Sequence, residues 1–363
     1  MKEVSWVDSF DLPSILDPRV AYYKEWHDFV FYDRAKKVFG LLNFAVHGNP
    51  YDAKRGFGAA LAFLVGPDGK IHTGLKLIPI TELTVSPYSP DYLSSSLSVS
   101  YLSDDSFTIL GDLDKISLDL ALPVMAPPIT MNQIGYDVLS KNGLTMGMVG
   151  VVADMSRVWD KWVELPRLDV VGTIRYGGTT FTIDTTTGYQ DHEGGRFDWG
   201  SIEGWDTGVL LCDPENGAEP ARVSFLFYRY GTPTSEYGGI IVKRKDGYEK
   251  YFASDHVTVT KTGAFSGEQA FLPGVTRLLY PDYHPKIPKT MTFSASEGTD
   301  SLDIAFTPRA LCTIVVPSLS DDAETTFNEM YCSAELTADL GGRAYSASIP
   351  CWFESVRPRG RIP

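Results

Sequence analysis

Short runs of β-branched and aromatic residues, separated by turn residues, recur along most of this chain. Runs of this kind are typical of strands joined by tight turns. Helical periodicity is scarce, and the best helix candidate, residues 321–330, is short enough to be a loop instead. The pattern therefore predicts an all-β fold. The clearest predicted strands are residues 39–46, 59–65, 70–80, 168–176, 223–230, 239–244 and 257–262.

Several of these runs are joined by sequences that favour hairpins. Gly-Pro-Asp-Gly occupies residues 66–69, Gly-Gly occupies 177–178 and Lys-Asp-Gly occupies 245–247. Glycine-rich turns at this spacing favour an antiparallel sandwich or barrel over a parallel α/β sheet. Residues 123–132, which contain three prolines, are predicted to form a loop over the surface or over the mouth of a cavity.

The chain has 363 residues, which exceeds the size at which one hydrophobic core usually stops growing. We therefore expect two β units, residues 1–160 and 161–363, with the junction at about residues 155–166. A monomer or a homodimer is expected.

The 46 acidic residues outnumber the 32 basic ones and give a net charge of −14. A field of this sign repels phosphate backbones and anionic membranes, so no nucleic-acid partner is expected. No apolar segment of about 20 residues occurs, and the N-terminus lacks the pattern of a signal peptide. We therefore predict a cytoplasmic protein without membrane insertion.

No sequence motif indicates a metal or an organic cofactor. His27, Asp28, His192 and Glu193 are possible ligands, but they do not form a zinc-binding spacing. Phosphate-binding glycine loops and the serine-hydrolase elbow are also missing. We therefore expect no metal and no cofactor. The four cysteines are widely spaced and are predicted to be buried free thiols; they are Cys212, Cys312, Cys332 and Cys351.

Asp191-His192-Glu193 places three titratable side chains in a row, close to Tyr189 and Trp199. In a strand, Asp191 and Glu193 face one side and His192 faces the other. Two nearby carboxylates favour retention of a proton, and protonation of a carbon-carbon double bond needs a carboxylic acid. The alternative is a glycine-rich turn in which the carboxylates accept hydrogen bonds from the backbone or from Arg196.

Glu25-Trp26-His27-Asp28 is a second polar cluster. Glu25 and His27 share one face of a strand, which suits an acid-base pair in a pocket. The alternative is a solvated strand end with Trp26 in the core.

The segment from Gly188 to Trp205, with Gly-Tyr-Gln-Asp-His followed by Phe-Asp-Trp, resembles the signature of the hydroxyneurosporene synthase (carotenoid 1,2-hydratase) and AttH-like family. Pro166-Arg167-Leu168 and Glu25-Trp26 are similar to two further family elements. His27 and Asp28 replace the usual aromatics, and Glu193-Gly194-Gly195 lacks the usual Trp.

The resemblance implies two lipocalin-like antiparallel β-barrel or sandwich units packed together, with a cavity for an apolar ligand. Relatives hydrate or cyclise polyenes and isoprenoids, and one branch catalyses Diels-Alder cyclisation of polyketide-derived polyenes. Four residues are predicted to be catalytic: Asp191, His192, Glu25 and His27. Six are predicted to bind substrate: Trp26, Tyr189, Glu193, Arg196, Trp199 and Trp205.

The leading functional hypothesis is a cofactor-independent cyclase, such as a Diels-Alderase, acting on a hydrophobic polyene, terpenoid or polyketide intermediate in natural-product biosynthesis. A pocket of the right shape lowers the entropic part of such a barrier. The alternative is a hydratase or isomerase that protonates an alkene of an isoprenoid-like substrate. A hypothesis of another class is a non-catalytic carrier of an apolar ligand.

Overall fold

The computed structural model describes residues 8–130, 160–184, 186–199, 204–213, 215–229, 236–247, 249–279, 285–317 and 324–357. The chain divides into two compact units. The first comprises Met1–Asp68 and His72–Phe197, and the second comprises Gly69–Ile71 and Asp198–Pro363. The division therefore follows Phe197, whereas the sequence prediction placed it at residues 160–161. Residues 155–159 of the predicted junction lie outside the described residues.

The described residues of the first unit form fourteen strands: β1 (Tyr23–Asp33), β2 (Val38–Gly48), β3 (Gly56–Val65), β4 (Ile71–Pro79), β5 (Thr84–Ser86), β6 (Ser89–Leu93), β7 (Leu97–Leu102), β8 (Ser106–Leu113), β9 (Ile116–Pro123), β10 (Ile129–Thr130), β11 (Lys161–Leu168), β12 (Val171–Tyr176), β13 (Thr179–Ile183) and β14 (Thr186–Arg196). Single 3-10 turns occur at Val20–Tyr22 and Ile80–Glu82.

These strands form two seven-stranded sheets. One has the order β10-β11-β14-β1-β2-β3-β4, and the other has the order β13-β12-β9-β8-β7-β6-β5. Alternate side chains of the two sheets share one apolar core, in which Phe29 of β1 contacts Phe107 of β8 with ring centroids 5.3 Å apart. The first unit is a β-sandwich, and in its described residues both sheets have open edges. Strands β11 and β14 belong to it because they pair with each other and β14 also pairs with β1.

In the part of the second unit that the structure describes there are ten strands: β15 (Gly204–Leu210), β16 (Arg222–Arg229), β17 (Glu236–Lys243), β18 (Glu249–Ala253), β19 (Val257–Thr262), β20 (Glu268–Leu272), β21 (Thr290–Glu297), β22 (Asp300–Pro317), β23 (Glu324–Leu340) and β24 (Arg343–Arg357). A 3-10 turn lies at Ser254–His256 and a single α-turn at Thr276–Leu279.

The second unit is one sheet with the order β18-β17-β16-β15-β24-β23-β22-β21-β19, and β20 adds a parallel pair to β22. Phe225 of β16 contacts Phe293 of β21 and Phe353 of β24 with ring centroids 5.1 and 5.0 Å apart. Because β16 and β21 are far apart in the strand order, these contacts show that the sheet curves around its own core.

The predicted all-β, antiparallel class is confirmed, and the predicted hairpin turns join neighbouring strands. Gly177 and Gly178 both have positive φ, 53° and 84°, which suits the turn between β12 and β13. The helix candidate at residues 321–330 is wrong: its described part, from Glu324, is the start of β23, where pairing to β22 and β24 overrides local propensity. The four cysteines are buried and free. Within the described residues, the helical turns are too short to cross a bilayer.

Candidate active site on strands β1 and β14

Strands β1 and β14 lie at the centre of one sheet of the first unit and are buried on both faces along almost their whole length. They pair antiparallel, with His27 opposite His192 and Asp28 opposite Asp191. Asp191-His192-Glu193 therefore lies in the middle of a strand, and the alternative of a glycine-rich turn does not apply. Because side chains alternate along a strand, the predicted catalytic residues fall on two opposite faces.

One face points to the apolar core of the sandwich. Phe29 and Phe31 of β1 belong to that core. Further along β1 and β14, several side chains that point to the same face are polar. We call these polar residues, together with Asp8 from the N-terminal segment, the histidine cluster. Its members are Asp8, Glu25, His27, Gln190 and His192, all with 0% exposure.

His192 bridges two carboxylate residues in the histidine cluster. Its Nε2 lies 2.7 Å from Oε1 of Glu25, and its Nδ1 lies 3.1 Å from Oδ1 and 2.9 Å from the backbone oxygen of Asp8. Burial opposes the charged form of the imidazole, but the carboxylates of Glu25 and Asp8 outweigh it and raise the pKa of His192. In the core of the sandwich, two acids thus favour the protonated form of the histidine between them.

Glu25 is fixed by three hydrogen bonds from two further groups. The Tyr23 hydroxyl donates a hydrogen bond of 2.6 Å to Oε2, and the backbone N–H of Asp11 donates to both carboxylate oxygens at 2.9 and 2.8 Å. Burial alone would raise the pKa of Glu25, but the charge of His192 dominates and lowers it. The Glu25 carboxylate therefore holds both His192 and the N-terminal segment.

His27 is the neutral member of the histidine cluster. Burial and then the charge of His192 hold the pKa of His27 well below its ordinary value. Its ring centroid lies 3.6 Å from that of His192, and its Nδ1 accepts a hydrogen bond of 3.0 Å from Nε2 of Gln190. Nδ1 also lies 3.9 Å from Oδ2 of Asp8. Among the described residues, Nε2 of His27 and Oε1 of Gln190 have no hydrogen-bond partner.

The opposite side of the same strands carries what we call the acidic face. It consists of the buried carboxylate residues Asp28, Glu164, Asp191 and Glu193 together with Trp26, Trp162 and Tyr189. Asp191 lies directly between Asp28 of β1 and Glu164 of β11 in the strand register. Directly opposed residues in a sheet have Cβ atoms about 4.5–5.5 Å apart, so these three acids are immediate neighbours.

Two neutral side chains donate hydrogen bonds to this face. The Tyr189 hydroxyl lies 3.3 Å from Oδ2 of Asp191, and Nδ2 of Asn43 lies 2.8 Å from Oδ1 of Asp28. Burial and then the charges of Asp191 and Glu193 raise the pKa of Tyr189 well above its ordinary value. The phenol therefore stays protonated and remains a donor.

The structure groups the sequence-predicted residues as follows. Glu25, His27 and His192 meet in the histidine cluster, whereas Asp191 lies on the acidic face with Trp26, Tyr189 and Glu193. Arg196, at the end of β14, forms a bidentate ion pair with Asp160 and contacts Asp17 at 2.6 Å. These two carboxylates hold the guanidinium of Arg196 at the end of the strand, several residues from Asp191.

Trp199 and Trp205 belong to the second unit. Trp199 packs edge-on against Phe327, and Nε1 of Trp205 donates a hydrogen bond of 2.5 Å to Glu354. Glu354 lies opposite Glu329 of β23, and burial raises its pKa. The signature segment therefore divides, with Gly188–Arg196 in the first unit and Trp205 in the second.

Sequence reasoning missed Asp8, Glu164, Trp162 and Gln190 as members of these groups. Trp162 and Glu164 are two residues apart and therefore share one face of β11. Only the pairing of β11 with β14 brings them next to Glu193 and Asp191. Asp8 lies in a segment without any strand pattern. Its carboxylate and one ring nitrogen each of His27 and His192 lie within 4.8 Å of one another, so these three residues could hold a metal ion.

Comparisons with known proteins found similar structures but no sequence match. No family model matches the sequence. No curated protein sequence matches it significantly either. An AttH protein from Nitrosomonas europaea has a TM-score of 0.61 at 13% identity, with 96% of each chain covered. Kievitone hydratase from Nectria haematococca has a TM-score of 0.59 at 10% identity, with 97% of each chain covered.

CghA, in a structure with Sch210972, has a TM-score of 0.59 at 11% identity, covering 96% of this chain and 94% of CghA. At such identities the likeness concerns the fold. The chain has the lipocalin-like fold of AttH, kievitone hydratase and CghA, as the signature around Asp191 predicted.

Proposed function

We propose that this chain is an enzyme that protonates a carbon-carbon double bond of an apolar small molecule, with hydration or isomerisation as the outcome. The observation that carries the proposal is the position of Asp191, which is 2% exposed and lies between Asp28 and Glu164 on adjacent strands. Asp191 is the proposed proton donor.

Crowding of like charges supports this role. Neighbouring carboxylates in a buried site disfavour simultaneous ionisation, so the group retains a proton more readily than an isolated acid in water. Trp26 and Trp162 flank Glu193 across β1 and β11 and line the same face with apolar surface. An acid in such surroundings is suited to donate to an alkene, which is a weak base.

The proposed reaction balances without an added cofactor. The O–H bond of the Asp191 carboxyl breaks as a C–H bond forms on the substrate, and the electron pair stays on the carboxylate. The faces of the aromatic side chains stabilise the resulting carbocation. Water then adds to the cation and returns a proton to the carboxylate, which gives a hydrated product. Loss of a neighbouring substrate proton instead gives an isomer.

Cyclisation, including Diels-Alder closure, is the second candidate, and the aromatic lining of the acidic face favours it. Trp26, Trp162 and Tyr189 offer rigid apolar surfaces that can hold a flexible chain folded. The Tyr189 hydroxyl can polarise a carbonyl group. The fold shared with kievitone hydratase and with CghA is compatible with both candidates.

Product analysis in heavy water separates these reactions. The purified chain is incubated with an acyclic carotenoid, farnesol and a linear polyene ester, and the products are analysed by mass spectrometry. A hydrated product carries the elements of heavy water, an isomerised product carries a deuterium in place of hydrogen, and a pericyclic product carries no solvent deuterium.

Deuterium in the product supports protonation, whereas a cyclised product without deuterium supports the second candidate. Saturable binding of these probes without any product or exchange would indicate a carrier and contradict the proposal. Asp119→Asn is the matched control for a substitution of Asp191, because Asp119 is an exposed residue of β9 in the same unit.

A further inference from the structure

The histidine cluster is built from side chains that metal ions prefer. Asp8, His27 and His192 supply one carboxylate and two imidazoles, a set that suits divalent first-row transition metals such as zinc. Oδ1 of Asp8 lies 3.1 Å from Nδ1 of His192, and Oδ2 lies 3.9 Å from Nδ1 of His27. Tetrahedral bonds of about 2.0–2.1 Å require ligand atoms about 3.4 Å apart, and one ligand atom from each of the three residues lies within 4.8 Å of the other two.

Glu25 lies beside the second ring nitrogen of His192, the position taken by a residue that orients a metal-bound histidine. Such a histidine usually donates its second ring N–H to a carboxylate, which fixes the ring and increases its basicity. Nε2 of His192 lies 2.7 Å from Oε1 of Glu25, while Nδ1 points to Asp8. Tyr23 and the backbone of Asp11 hold Glu25 in place.

Gln190 is a second, independent indication of a ligand. Its side chain is fully buried, and its Nε2 lies 3.0 Å from Nδ1 of His27 and 3.4 Å from both carboxylate oxygens of Asp8. Its Oε1 has no hydrogen-bond partner among the described residues. Half a turn about the last side-chain torsion exchanges Oε1 and Nε2 and brings the oxygen to the cluster as a further ligand.

We propose that Asp8, His27 and His192 bind one divalent transition-metal ion, with Glu25 as a positioning residue and zinc as the test ion. The metal replaces the proton on Nδ1 of His192, and that proton leaves to solvent. Asp8 belongs to the N-terminal segment, and the two histidines belong to β1 and β14. The ion therefore links that segment to both strands. Its role is structural, and it lies on the face of these strands opposite Asp191.

The direct test is metal binding by the wild-type chain. The protein is stripped with a chelator and titrated with Co²⁺, whose visible spectrum reports nitrogen ligands and coordination number, and the Co²⁺ is then displaced with Zn²⁺. We expect one equivalent per chain, nitrogen ligation and a higher unfolding temperature with Zn²⁺. Failure of the wild-type chain to bind Co²⁺ or Zn²⁺ saturably would overturn the proposal.

Variants locate the site. Loss of a residue that orients a metal ligand typically weakens binding by roughly 10- to 100-fold. Asp8→Asn should weaken Co²⁺ binding by more than this, because it removes a ligand. Glu25→Gln should fall within that range and leave the stoichiometry at one, because it changes the orientation and basicity of His192 and removes no ligand. Far-UV circular dichroism checks that both variants fold.

Asp28→Asn is the matched control, since it changes the same strand on its opposite face. It should bind Co²⁺ as the wild-type chain does. Equal affinity of the Asp8→Asn variant and wild type would refute the assigned ligands. The assay needs no substrate, so its outcome is separate from that of the proposed reaction.

Discussion

The two faces of the β1–β14 pair both bury acidic groups but surround them differently, with two acids in the histidine cluster and four on the acidic face. In the histidine cluster, the acids flank an imidazole, and Nε2 of His192 lies 2.7 Å from Oε1 of Glu25. On the acidic face, Asp191 adjoins Asp28 and Glu164, and the neutral donors Tyr189 and Asn43 contact this group. Adjacent residues, Asp191 and His192, thus lie in different surroundings because a strand alternates its side chains.

The difference shows that burial alone does not decide whether a carboxyl group is ionised. Glu25 is held ionised by an opposite charge, which lowers its pKa and makes it a structural element. The acids of the acidic face lie next to one another, and our proposal is that the group keeps a proton that Asp191 donates. We therefore assign stability to the histidine cluster and proton transfer to the acidic face.

The largest expected effect on stability is that of Glu25→Ala. It leaves the His192 charge buried without its closest acid, and breaking a buried pair in this way typically costs about 3–5 kcal/mol. Asp28→Asn, on the acidic face, should change the free energy of unfolding by no more than about 1 kcal/mol. Urea unfolding of both variants measures the difference. Similar losses would contradict the contrast between the faces.

Gly194→Ala should have an intermediate effect, because Gly194 lies opposite Glu25. A Cβ atom at this position would lie 2.7 Å from Cγ of Glu25 and would displace the side chain that holds His192. Overpacking of this kind usually costs about 1–3 kcal/mol. Gly274→Ala is the control, since nothing lies within 4 Å of its Cβ position. Equal unfolding temperatures for the two variants would show that Glu25 can move freely.

The smallest effect is expected from Glu354→Gln in the second unit, where a carboxyl faces another carboxyl as on the acidic face. Burial raises the pKa of Glu354 above its ordinary 4.5. A raised pKa means that Glu354 holds its proton more tightly in the folded state than in the unfolded state. The resulting contribution to the free energy of unfolding is complete below pH 4.5 and is lost as pH rises through the raised pKa.

Glu354→Gln should therefore flatten the fall of unfolding free energy above pH 4.5. The change in slope is at most about 1.4 kcal/mol per pH unit, which corresponds to one proton. Urea unfolding across a pH series measures it, and identical slopes for wild type and variant would show that Glu354 does not bind this proton.

The sequence predicted the strands well because their apolar patterns and glycine turns are local signals. Alternation also separated His192 from Asp191 and Glu193 and placed Glu25 with His27 correctly. Strand pairing is not local: the β1–β14 register joins residues more than 150 positions apart and decides that His27 meets His192. The contribution of Asp8 could not be predicted, because its segment is fixed by contacts to Glu25, His192 and Lys161 and carries no pattern of its own.

The central claim is that the acidic face carries out proton transfer, and the turnover of Asp191→Asn tests it most directly. Turnover is measured on whichever probe the wild-type chain converts in heavy water, with Asp119→Asn as the control and unfolding curves to confirm that both variants fold. We predict that Asp191→Asn loses at least about a hundredfold in turnover and shows a matching loss of deuterium incorporation, while substrate binding changes little. A loss within about tenfold, or ~1.4 kcal/mol of barrier, would contradict the account and support closure driven by shape.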